Sequence, residues 1–147
     1  MVVKTFRGLL ADDTQERIKL QTSTGKVGYR IIKFQVMAAT VTTVSAECVV
    51  KIFKTNQSTV DASVDFTDSD LLGVALWTSD SDTHAQSDDL NVIFDNEIFN
   101  QDIFITHENT AGGAAACNYY VELEVIPLAS DEAAITTVKA MRGLAVD

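Results

Sequence analysis

Residues 118–126 constrain the fold most. Tyr119, Val121, Leu123 and Val125 alternate with polar positions that include Glu122 and Glu124. A period of two puts the apolar set on one face of an extended strand and the carboxylates on the other. A helix would scatter both sets around its circumference. The same period recurs at 17–22, at 29–37 and at 47–54, where Cys48, Val50 and Ile52 share a face. Shorter runs at 58–66, 71–77, 90–94 and 103–107 fit strands as well. The segment 71–77 is more ambiguous, since Thr67 and Asp70 resemble a helix-capping arrangement while Gly73 weakens a helix interior.

Between these runs lie turn and loop signals. Gly25 sits in a polar turn that predicts a β-hairpin joining 17–22 to 29–37. Residues 95–101 predict a tight bend that buries Ile98 and Phe99. Residues 109–116, with Gly112, Gly113 and three alanines, predict a flexible hairpin loop, and 78–89 a long exposed one. Pro127 is expected to end strand pairing.

The period then changes. Ser130 is a good N-cap, Asp131 and Glu132 favour a helix start, and Lys139 and Arg142 suit its end. Ala134, Ile135, Val138 and Met141 recur at three- and four-residue steps, which predicts the packed stripe of a helix over 130–143. The expected fold is mainly β: an antiparallel β-sandwich, jelly-roll-like, with one C-terminal helix. Residues 1–14 are expected as an N-terminal arm or an edge strand, 15–129 as the sandwich, and 130–143 as a helix packed on the domain or on a neighbouring subunit.

Charge is distributed unevenly. The 147 residues carry 11 Lys and Arg against 21 Asp and Glu, a formal net charge of −10. Nine of the basic residues fall in the first 54 positions, and none lies between 55 and 138, where 16 acids lie. An acidic surface disfavours nucleic acid and anionic membranes as partners, and no apolar run is long enough for a bilayer-spanning helix. Basic and acidic regions can pair within the chain or between copies of it.

Catalytic and cofactor signatures are missing. The sequence holds no nucleophile elbow and no phosphate-binding glycine loop, so no enzyme activity and no cofactor are expected. The two histidines, His84 and His107, fall in a loop and at a strand end, where a solvated side chain is expected. Cys48 and Cys117 fit neither a disulfide scaffold nor a zinc-binding CxxC pattern. They are expected as two small buried thiols, with a mutual disulfide as the alternative. Asp80, Asp82 and Asp88 offer hard oxygen ligands for calcium, but the loop departs from the EF-hand pattern at its glycine and its final carboxylate. Trp77 is the sole candidate for a glycan platform, and a core or rim tryptophan is the favoured reading of it.

The runs 92–107 and 118–124, with the closing segment 132–139, resemble small virion structural proteins of tailed marine phages, over residues 15–142. The resemblance implies a β-rich particle component of the capsid decoration or cement type. Such a protein would be synthesised in the host cytoplasm and located in the virion. It would act as a homo-oligomer, a trimer, bound to the major capsid protein or another virion protein. The interface candidates are Phe6, Leu9 and Leu10 in the N-terminal segment, Lys51 and Lys54 as charge partners, and Ile135 and Val138 on the helix. The alternative reading is a receptor- or glycan-binding β-sandwich, calcium-assisted through the 78–89 loop.

Overall fold

The structure, a computed structural model, describes residues 1–40, 45–79, 90–94 and 97–145, with side chains described through residue 140. Eight strands precede one helix: β1 (Val2–Leu10), β2 (Thr14–Ile18), β3 (Val27–Ala38), β4 (Ala46–Phe53), β5 (Leu71–Ser79), β6 (Asn91–Ile93), β7 (Ile103–Asn109), β8 (Cys117–Pro127) and α1 (Ser130–Ala145). They form two antiparallel sheets, one ordered β1-β8-β3 and the other β2-β7-β4-β5-β6.

Successive strands change sheet from β1 to β4, and again from β7 to β8. This is the strand pairing of a jelly roll, with β6 extending the five-stranded sheet. The free edge of β3 is met instead by the bend before β7: Tyr29 and Phe99 exchange backbone bonds of 2.7 and 3.0 Å. The bend buries Phe99 as expected and leaves Ile98 half-buried.

The core lies between the sheets. Leu10, Phe34, Val121 and Leu123 come from one layer, and Cys48, Val50, Ile52, Ile103 and Ile105 from the other. Tyr119, Val121 and Leu123 point inward as their alternation dictates, and Val125 packs at the margin. A second, smaller cluster of Phe53, Leu71 and Val74 joins Leu76 and Phe94.

Four expectations are corrected. The turn at Gly25 (φ 65°) does not close a hairpin, because β2 pairs with β7 and β3 with β8. Alternation sets which face is buried and leaves the partner strand open. Asp102 instead fixes the crossing: its Oδ1 accepts the backbone N–H of Leu20 and Gln21 at 2.7 and 2.8 Å, and its Oδ2 accepts Arg17 Nε at 2.6 Å. Likewise, loop 110–116 carries the chain between sheets.

The strand expected at 58–66 does not form. Asp61, Asp65 and Asp68 each accept the backbone N–H two residues on, at 2.9–3.1 Å. These Asx turns offer the backbone a local alternative to a ladder. Pro127 remains within β8, opposite Val27 at the strand's last position.

Helix α1 is rotated relative to the expected stripe. Ala133 and Ala140 face inward, whereas Ala134, Ile135 and Val138 are exposed. The buried amide of Asn100 sets this rotation, donating to Thr137 Oγ1 at 2.7 Å, to the Gly25 carbonyl at 2.9 Å and to the Ala133 carbonyl at 3.3 Å. A helix surface of Ala and Thr lets the backbone approach that amide, which Ile135 and Val138 would hold away.

Candidate functional site

The interface candidates divide between surface and interior. Leu9 is 53% exposed on β1, and Ile135 and Val138 are 59% and 55% exposed on α1. Phe6 is half-buried against the core, and Leu10 is fully buried there. Leu10 therefore presents no side chain to a partner.

Lys51 and Lys54 are engaged within the chain. Lys51 Nζ donates to Asp61 Oδ1 at 2.9 Å and to the Ser63 carbonyl at 2.6 Å, and its ammonium lies 5.4 Å from the Phe53 ring centre. The Lys51 bond holds the Asp61 carboxyl below its ordinary range. Lys54 Nζ donates to Glu97 Oε1 at 2.7 Å. Arg17 with Asp102, Arg30 with Glu124, and Lys33 with Glu122 complete five ion pairs among the described residues. Each joins a cation of the first 54 residues to an acid of the acidic middle, so the charge asymmetry of the sequence is resolved at these positions by folding.

β1 forms the outer edge of the three-stranded sheet. It pairs with β8 in unbroken register from Val2 opposite Val125 to Leu10 opposite Cys117. Its other edge has no partner strand among the described residues. Natural edge strands are usually short, bulged, broken by Pro or marked by charge, Lys above all. This one runs nine residues without a bulge or Pro, with Val2, Val3 and Leu9 exposed beside the charged Lys4 and Arg7. Asn118 is the register partner of both Leu9 and Met37. Leu9, Asn118 and Met37 therefore form one row across the outer face, and all three are exposed.

Inside the sandwich lies a cluster that the sequence did not announce. Cys48 on β4, His107 on β7 and Cys117 on β8 bring one potential ligand atom each to within 4.8 Å of one another. Both cysteines are free and buried. His107, expected to be solvated, is 0% exposed. It stands in phase with Ile103 and Ile105, whose inward alternation was the available signal for its burial. Its Nε2–H donates to the Ala115 carbonyl at 2.9 Å. A carbonyl only accepts, so this bond places a proton on Nε2. His107 Nδ1 has no hydrogen-bond partner, an arrangement that costs about 1–3 kcal/mol in a buried site.

The thiols titrate as a pair. The bond from Cys117 holds Cys48 below the ordinary thiol range. That bond, together with burial, pushes Cys117 far above it.

The other candidates fare differently. Trp77 is 6% exposed and belongs to the core, so it offers no glycan platform. Asp80, Asp82, Asp88 and His84 lie outside the described residues. Shallow surface depressions of about 480 and 490 Å³ flank Lys19, Gln21 and Thr22, reaching Arg17 and Asp102 on one side and Lys4 and Tyr29 on the other. The fold defines a jelly-roll β-sandwich. No family model and no curated protein matches the sequence.

Proposed function

We propose that this chain is a non-enzymatic assembly protein. It associates with copies of itself and fastens to a larger particle, a capsid decoration or cement role on a virion being the leading form. The observation that carries this reading is the unpaired edge of β1, nine residues long among the described residues, beside the exposed row of Leu9, Asn118 and Met37. Such an edge can add a strand from another chain, with main-chain bonds supplying affinity and flanking apolar side chains supplying register. The exposed Ile135 and Val138 on α1 give a second apolar contact.

Light scattering across a concentration series tests self-association. The chain should exceed its 16.0 kDa monomer mass, and Leu9→Lys with Met37→Lys should return it to monomer with little change in melting temperature. A chain that stays monomeric at high concentration refutes self-association. Labelling the protein on purified source particles tests the particle role, and absence of label from the particle surface refutes that part.

A further inference from the structure

We propose that Cys48, His107 and Cys117 form a metal centre for a thiophilic divalent cation, Zn²⁺. The three residues come from three strands in two sheets and meet only in the folded core, with ligand atoms within 4.8 Å of one another. The donor set is two thiolates and one imidazole, the soft and borderline ligands that zinc favours. A Zn–S bond of about 2.3 Å places two thiolates about 3.8 Å apart in a tetrahedron. The cluster therefore needs to contract by roughly 1 Å.

The imidazole is already arranged as a ligand. Metal-bound histidines commonly donate their second ring N–H to a backbone carbonyl or carboxylate, which orients the ring. His107 Nε2 does this with Ala115, and Nδ1 stays buried with its lone pair unused. A cation on Nδ1 would remove the cost of that orphaned atom. Two thiolates and a neutral imidazole carry a charge of −2, so a divalent ion makes the centre neutral. A monovalent ion would leave a net charge in an apolar core, which is costly. Binding releases the two thiol protons to solvent.

Loop 110–116 lies next to the centre. It supplies the Ala115 carbonyl and consists of small residues around Gly112 and Gly113, which have open space about them. Asn109 closes the loop by donating to the carbonyls of Ala111 and Gly113, at 3.2 and 2.8 Å.

The test uses the whole chain, reduced and stripped of metal with a chelator. Zn²⁺ should bind one ion per chain and raise the melting temperature by roughly 5–10 °C at about 100 times its dissociation constant. Co²⁺ in its place should give thiolate-to-cobalt charge-transfer absorption. Cys117→Ser should weaken binding by more than the roughly 10–100-fold that losing an outer partner of a metal ligand costs. X-ray absorption of the zinc-loaded wild type needs no variant and should show two sulfur neighbours, one imidazole and one further light-atom neighbour, the water that completes a zinc site with three protein ligands. Reduced thiols with no metal uptake would overturn the proposal. So would uptake of Cu⁺ but not Zn²⁺, or, in the chain as purified and before any reductant is added, a mass lower by two hydrogens, which marks a Cys48–Cys117 disulfide in place of a ligand pair.

Discussion

Replacing Asn100 by Ala tests whether one buried amide holds α1 to the sandwich. The Asn100 side chain has two N–H groups facing three acceptors: Thr137 Oγ1 at 2.7 Å and the carbonyls of Gly25 and Ala133 at 2.9 and 3.3 Å. Two bonds can be strong at once. At about 0.5–1.5 kcal/mol each, their loss costs about 1–3 kcal/mol. Among the described side chains the helix has little else to hold it, since those facing inward are Ala133 and Ala140 with Thr136 and Thr137 half-buried. A helix of 16 residues is marginal in water on its own.

The cost should therefore appear first as local opening of α1. About 1–3 kcal/mol corresponds to a roughly 5–150-fold rise in the opened population. Amide hydrogen exchange followed by mass spectrometry measures this directly. Peptides spanning 133–140 should exchange faster by that factor in Asn100→Ala, while peptides from β8 keep their wild-type rates. Equal acceleration in β8 and α1 would refute the anchoring argument, because the amide would then serve global stability. Unchanged exchange in α1 would refute it as well.

Three other perturbations have definite outcomes. The Lys51 side chain is 6% exposed and Asp61 51%, so breaking their pair is asymmetric: Asp61→Ala strands a buried ammonium and should lower stability more than Lys51→Met, which leaves a solvated carboxylate. Equal denaturant midpoints would contradict this. Burial by itself would raise the Asp102 carboxyl, but the N–H groups of Gln21 and Leu20 and the Arg17 guanidinium outweigh it and hold the group below its ordinary value. A depressed value stabilises the fold above the usual Asp range of about 3.9 and loses that contribution as pH falls through the folded-state value. Asp102→Asn should thus be less stable by about 1–3 kcal/mol at neutral pH and should lose less on acidification, which a pH series of melting curves would show. A Cβ at Gly8 would lie 2.7 Å from Tyr119 Cε2, so Gly8→Ala should displace the ring and cost about 1–3 kcal/mol. A variant with wild-type stability would show that the β1–β8 contact is loose.

Much of the architecture was written in alternation. β3, β4, β5, β7 and β8 lie close to the expected runs, and Cys48, Val50 and Ile52 point inward as their period requires. Period two is enforced residue by residue through the pleat, so it survives in the sequence whatever the partner strand. The helix was legible from its cap and charges, but its rotation was not. Asn100, thirty residues upstream of Ser130, decides which face turns in, and no local pattern records that. The same holds at the cluster of Cys48, His107 and Cys117. Each residue could be placed on an inner face by counting twos along its own strand. That three such faces converge depends on β4 and β7 pairing in one sheet while β8 crosses into the other. Local alternation fixes burial, because it is a property of neighbouring residues. Meeting across layers is a property of topology, which arises from long-range pairing that only the folded chain carries out.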